Sequence, residues 1–230
     1  MGNFLALTSV IGKTRSEVVT SLTNYANSVN GGLQQDNSLE FDTYNCCIID
    51  EQNGNVSILY PNGYVEWDES SAFISKELNA TAFSFHIHDG DFWMYVLYNN
   101  GQVVDQFNPV PDYWDDSISN EEIENWKGNA DIIVQYTKSI NKSDIDKYLI
   151  RWDLGNEDLE KAYPTDEFNQ EEWQLTDFMN KLNLPFPLDD NSNAKGLTFK
   201  FWTKQLKLKE MKNNIVKTET KSGNSWWKFW

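Results

Sequence analysis

The sequence predicts an α+β protein: an antiparallel sheet early in the chain, a mostly helical region after it, and a basic aromatic tail. Three observations carry this. Apolar segments separated by Asn-Gly, Asp-Gly and Pro-Asn-Gly turns recur between residues 3 and 107, the pattern of strands joined by hairpins. After Pro111 the character of the chain becomes helical. Residues 195–230 then hold nine lysines against Glu210 and Glu219. The chain divides accordingly into a sheet domain at 1–116, a helical region packed on it at 117–190, and a Trp-rich tail at 191–230.

Residues 3–11 read as an apolar strand. Thr14-Arg15-Ser16-Glu17 has capping-box spacing, in which hydroxyl and carboxylate satisfy the first free amides of a helix. That helix runs to about residue 29, with Val18, Leu22, Tyr25, Ala26 and Val29 on one face and Gly31-Gly32 as its stop. Strands follow at 41–50 and 55–60 around the Asn53-Gly54 turn, and a further strand is expected at 64–67 after Pro61-Asn62-Gly63. A helix at 69–78 buries Ala72, Phe73 and Leu78. Phe83, Phe85 and Ile87 alternate with Ser84, His86 and His88, Asp89-Gly90 turns, and residues 92–98 are apolar on both faces, as in a central strand. A last strand at 102–107 ends at Asn108-Pro109-Val110-Pro111, because proline cannot donate to the ladder.

This order, strand-helix-strand-strand followed by strand-helix-strand-strand-strand, suggests a duplicated β-α-β-β unit. It resembles the GyrI-like and TATA-binding-protein-like folds, which implies one continuous sheet with both helices on one face. The GyrI-like proteins bind small ligands or partner proteins. The resemblance covers about half the chain and concerns architecture alone.

Beyond residue 117, Ser119-Asn120-Glu121-Glu122 opens a short helix to Trp126. Residues 130–139 suit either strand or helix, and further segments are expected at 142–152 and 156–162, the latter stopped by Tyr163-Pro164. Residues 169–182 form an amphipathic helix through Trp173, Leu175, Phe178, Met179 and Leu182, and residues 184–188 run extended over a surface. Residues 197–202 alternate weakly, and the last five residues are Trp-Trp-Lys-Phe-Trp.

Composition narrows the function classes. With 40% hydrophobic and 14% aromatic residues, the chain has material for a packed core. No apolar run approaches the roughly 20 residues of a spanning helix. The start lacks a basic leader, and position 6 is Ala where a myristoylation signal has Ser or Thr. Adjacent Cys46 and Cys47 point to opposite faces of a strand and form neither a disulfide framework nor a zinc site. A cytoplasmic protein is expected. The net charge is −16; the last 36 residues contribute +7, leaving −23 on residues 1–194. Such a field repels nucleic acid and anionic lipid and attracts a basic partner.

Three segments carry candidate chemistry. His86 and His88 share a strand face, so with Asp89 or Asp91 they could ligate a metal. The Asp-Gly pair is already explained by its turn, so a pair of ordinary strand histidines is the preferred reading. Asp105, Asp112, Tyr113, Trp114, Asp115 and Asp116 lie in or beside a proline-stiffened loop, where aromatics supply contact area and carboxylates meet lysine or arginine. Alternatively Phe107, Tyr113 and Trp114 fold inward and cap the sheet. Trp226, Trp227, Phe229 and Trp230 form a cluster costly to leave in water, which should dock in cis or on a partner. The pattern DFWMYVLY at 91–98 with GQVVDQFNPVPDYW at 101–114 is similar to that of an uncharacterised bacterial family. The aromatic end resembles that of some bacterial immunity-type proteins.

Neither a phosphate-binding loop, a dinucleotide fingerprint, a nucleophile elbow nor His-Glu-x-x-His occurs. The expectation is therefore a binding protein without cofactor, an immunity- or antitoxin-like inhibitor of a basic toxin. The alternatives are a small-ligand sensor with a cleft between the duplicated halves, or a metal-dependent enzyme at His86 and His88.

Overall fold

The computed structural model describes residues 4–41, 43–89, 92–115, 117–137, 140–152 and 174–207. Among them an eight-stranded antiparallel sheet carries helices on both faces. The strands are β1 (Leu5–Ile11), β2 (Gly32–Gln35), β3 (Cys46–Gln52), β4 (Asn55–Leu59), β5 (Thr81–His88), β6 (Phe92–Asn99), β7 (Gln102–Phe107) and β8 (Leu197–Trp202). Their order across the sheet is β2-β8-β3-β4-β1-β5-β6-β7. Helices α1 (Arg15–Ser28) and α2 (Trp67–Glu77) cover one face. The other face packs against α4 (Ala130–Tyr136), α5 (Lys142–Ile145) with the 3-10 turn Asp146–Tyr148, and α6 (Gln174–Lys181). Helix α3 (Asn120–Asn125) has no buried residue.

Strand alternation distributes side chains between the two layers. Leu5, Leu7, Phe83, Phe85, Ile87, Trp93 and Tyr95 enter the layer of α4 to α6. Ala6, Val10, Ile49, Ile58 and Ala82 enter the layer of α1 and α2. Cys46 and Cys47 part between the layers, as their adjacency predicts. Both long helices lie on one face and each precedes a hairpin, β3–β4 after α1 and β5–β6 after α2.

Several elements differ from the sequence reading. Helix α1 starts with the expected capping box between Thr14 and Glu17, but Asn30, at φ 58, makes the stop rather than Gly31-Gly32. Those glycines admit Trp202 instead. A Cβ on Gly31 would stand 1.9 Å from the Trp202 carbonyl oxygen, and one on Gly32 2.3 Å from its indole. The chain then continues as β2. Residues 64–67 form no strand, because β1 is already paired with β4 on one side and β5 on the other. Tyr64 turns inward against Tyr60 and Phe201.

The buried side of α2 is Ser70, Ser71, Ile74 and Ser75, while Ala72, Phe73 and Leu78 are only part-buried. Small hydroxyl side chains fit here because the strands below are also polar. Thr8 Oγ1 lies 2.8 Å from the Tyr60 hydroxyl and 2.6 Å from Ser71 Oγ, and Ser70 Oγ lies 2.7 Å from the same tyrosine. The ambiguous stretch at 130–139 contains α4, whose Asn129 side chain accepts from the Asp131 amide. Leu184, Phe186 and Leu188 are buried in the core rather than laid on a surface.

Residues 197–202 are sheet rather than tail: β8 lies between β2 and β3. Asn45, at φ 68, holds its end, with Nδ2 donating to the Phe201 carbonyl at 2.8 Å. The segments expected at 156–162 and 169–173 lie outside the described residues. Among the described residues no helix is long and apolar enough to cross a membrane.

Candidate functional site

The outward positions of β5 pass from shelter to solvent along the strand. Ser84 lies under the start of α2, where its hydroxyl reaches the Trp67 carbonyl at 3.4 Å. His86 stacks on the Trp67 indole, with centroids 4.8 Å apart and planes 3° from parallel. His88 lies beyond the helix and meets four aromatic rings: Phe4 at 5.1 Å, Phe92 at 5.6 Å, Tyr113 at 5.5 Å and Trp114 at 4.9 Å.

The loop after β7 brings Tyr113 and Trp114 there because its base is pinned. The Asn108 amide donates to the Trp126 carbonyl at 2.9 Å, and the Trp152 amide donates to the Pro109 carbonyl at 2.9 Å. Asn108 Oδ1 accepts from the Val110 amide at 2.9 Å, and Val110 itself is buried. Beyond this anchor, Arg151 pairs with Asp112 at 3.0 Å. Asp115 accepts from the amide and hydroxyl of Ser117, which lowers its pKa.

The result is an exposed aromatic rim beside a cleft. Trp114 is 55% exposed, Val65 57%, Tyr113 39% and Phe4 38%. The cleft holds about 370 Å³ and is lined chiefly by Phe4, Tyr64, Val65, Trp67, His86 and His88. It opens between the start of β1 and the 61–65 loop on one side and the start of α2 and the end of β5 on the other.

Burial, then the neighbouring His88, lower the pKa of His86 to about 4, against the opposing effect of the Leu5 backbone. His86 is therefore neutral at pH 7, and its buried Nδ1 has no hydrogen-bond partner. One residue into α2, burial raises the pKa of Asp68 to about 6, although Ser84 and the Tyr98 hydroxyl at 3.3 Å favour its charged form.

His86 and His88 share a face as expected, with rings 5.9 Å apart. Asp91 lies outside the described residues, and among those described no group of three His, Cys, Asp or Glu side chains could hold a metal ion. Asp105 does not join the loop carboxylates. It is half-buried on β7, where Oδ2 accepts from the Tyr95 hydroxyl at 2.6 Å and the Asn129 amide at 3.0 Å. Phe107 folds inward at 1% exposure, while Tyr113 and Trp114 remain outside. The aromatic loop thus divides between the two expected arrangements.

Asp116, Trp226, Trp227, Phe229 and Trp230 lie outside the described residues. Phe4, Val65 and Trp67 were not singled out by the sequence. They come from three separate segments, and only the convergence of β1, the 61–65 loop and α2 makes them neighbours. Comparison of the chain with protein-family models, with curated proteins and with solved structures finds no match.

Proposed function

We propose that this chain is a protein-binding module that engages a basic partner through the rim formed by Phe4, His88, Tyr113 and Trp114. One observation carries the reading: exposed apolar side chains from separate segments gather around His88, beside a loop that bears exposed Asp115 and the Arg151-paired Asp112. A tryptophan and a tyrosine at the centre of a polar-edged patch have the character of an interface anchor. The −23 charge of residues 1–194 supplies long-range attraction for a positively charged surface. Within this reading, an immunity- or antitoxin-like inhibitor that masks a basic toxin in the cytoplasm accords best with the charge and with the missing catalytic motifs.

The test is affinity capture from native host lysate by the chain and by its Tyr113→Ala/Trp114→Ala variant. A basic protein retained by the first and lost by the second is the expected result, since each anchor truncation should cost about 2 kcal/mol or more. Equal retention by both would refute the surface. With that protein in hand, Asp112→Lys/Asp115→Lys should slow association and weaken its salt dependence.

The cleft favours a second reading, a small-ligand sensor. Its volume of about 370 Å³ lies within the range of small-molecule sites, and it opens between β1 with the 61–65 loop and α2 with β5. The metal-enzyme reading at His86 and His88 draws no third ligand from the described residues.

A further inference from the structure

The cleft beside Trp67 is apolar and open. Val65 and Phe4 stand at its mouth, and Trp67 forms a flat wall stacked on His86. Between Val65 and Trp67 lies Glu66, whose Oε2 accepts from the Thr203 hydroxyl at 3.0 Å. The Lys207 amide then donates to the Thr203 carbonyl at 3.1 Å, a single helical turn away. The last described residue, Lys207, thus lies one helical turn beyond a residue bonded to Glu66, which separates the cleft residues Val65 and Trp67 in sequence.

We infer that the cleft is the docking site of the chain's own Trp226–Trp230 segment, bound in cis. Reach permits it. A flexible tether of 18 residues, the length from 208 to 225, would have a root-mean-square span of roughly 20–25 Å, comparable to the width of a small domain. Charge favours it, since residues 195–230 carry +7 against −23 on the rest of the chain. Exposed Asp89 follows the cleft residue His88 in sequence and can meet Lys228 and its neighbouring lysines. Chemistry favours it as well. Indole and phenyl rings prefer offset or edge contacts with other aromatic rings, and the site presents Trp67, Phe4 and His88 for them. A tethered segment also meets its site at an effective concentration in the millimolar range, which a free ligand must match to displace it. This docking does not depend on the partner reading. The cleft shares Phe4 and His88 with the proposed rim, so a docked segment and a partner compete there, whereas Tyr113 and Trp114 do not line the cleft.

The test places one cysteine at the mouth of the cleft and one beside the segment, in the full chain. Val65→Cys/Ser225→Cys is compared with Val103→Cys/Ser225→Cys; Val103, 52% exposed, sits on the edge strand β7. The native Cys46 and Cys47 are buried and do not compete. Under mild oxidation the first pair should form an intramolecular disulfide at least about tenfold faster than the second, because docking raises the local concentration above that of the free tether. Replacing Trp226, Trp227, Phe229 and Trp230 together by Ser should slow the first pair about tenfold and leave the second unchanged; an unchanged first rate would overturn the proposal. Equal rates for the two pairs would overturn the proposal. A disulfide-linked dimer in place of the monomeric product would overturn the cis assignment and make a second copy the source of the segment. A second measurement needs no cysteines. The chain has two histidines, and the His88 ring resonances should shift between the natural chain and the four-Ser variant; unchanged resonances would also overturn it.

Discussion

Asp105→Ala separates a structural carboxylate from a partner-binding one. The Asp105 carboxylate joins the edge of the sheet to the helical layer. Its Oδ2 accepts from the Tyr95 hydroxyl at 2.6 Å and from the Asn129 amide at 3.0 Å, and Asn129 is the cap of α4. Tyr95 is fully buried. Gly128 sits so close that a Cβ there would lie 3.0 Å from the phenolic oxygen. Alanine at 105 therefore leaves a buried hydroxyl without its acceptor and frees the α4 cap. A lost hydrogen bond to a charged group costs about 1.5–3 kcal/mol. The solvent-accessible Asn129 amide adds about 0.5–1 kcal/mol. The expected loss is about 2–4 kcal/mol, read by urea denaturation at pH 7 with an unchanged m-value. Asp105→Asn should cost only about 1 kcal/mol, because one amide oxygen can take both donors in the place of Oδ2. In a double-mutant cycle with Tyr95→Phe, the coupling should exceed about 1 kcal/mol. If Asp105→Ala loses less than about 0.5 kcal/mol, the anchor argument is wrong and the residue belongs with the solvent-facing loop carboxylates.

Two further outcomes follow from burial and close approach. Asp68 has a folded-state pKa raised to about 6 from 3.8, chiefly by burial, so the folded chain holds that proton more tightly than the unfolded one. Its contribution is most favourable below about pH 4, declines as pH rises through about 6, and stays lost at pH 7. Asp68→Asn should remove this decline. A two-unit shift corresponds to about 3 kcal/mol, which water at the part-exposed side chain reduces to about 1–2 kcal/mol of added stability at pH 7; parallel pH profiles for the two proteins would contradict the assignment. Gly32→Ala should destabilise by about 1–3 kcal/mol through overpacking, because its Cβ would fall 2.3 Å from the Trp202 indole. Combining it with Trp202→Ala should then cost less than the sum of the two single changes, as thermal melts of the three variants would show.

What the sequence revealed depended on how far each signal had to travel. Asn53-Gly54 and Asn100-Gly101 turn with positive φ at both residues, as type I′ hairpins require, and the boxes at Thr14 and Ser119 formed as spaced. Each of these is settled within four residues. The opposing faces of Cys46 and Cys47 and the shared face of His86 and His88 needed only the strand period. The serine face of α2 was hidden because its complement is a hydroxyl cluster on distant strands, and apolar periodicity does not register it. Strand β2 and the role of β8 were hidden for a related reason: each is short, and its partners lie far away in sequence. The candidate site stood in between. Tyr113 and Trp114 announced themselves as loop aromatics, but Asp105 read as their companion until Tyr95 and Asn129 were placed around it.

The insertion of β8 between β2 and β3 also sets a timetable for folding. Among the described residues β2 hydrogen-bonds to β8 alone, and β3 meets β8 along the edge not occupied by β4. A nascent chain that has completed β1 to β7 thus still presents β3 as an open edge and keeps β2 without a ladder. Both must wait until residues 197–202 have been synthesised and threaded into the gap. Such long-range closure is slow relative to hairpin formation, and an open apolar edge in the interval invites pairing with other chains. Synthesis of this protein therefore has a vulnerable interval that ends when its last described strand arrives.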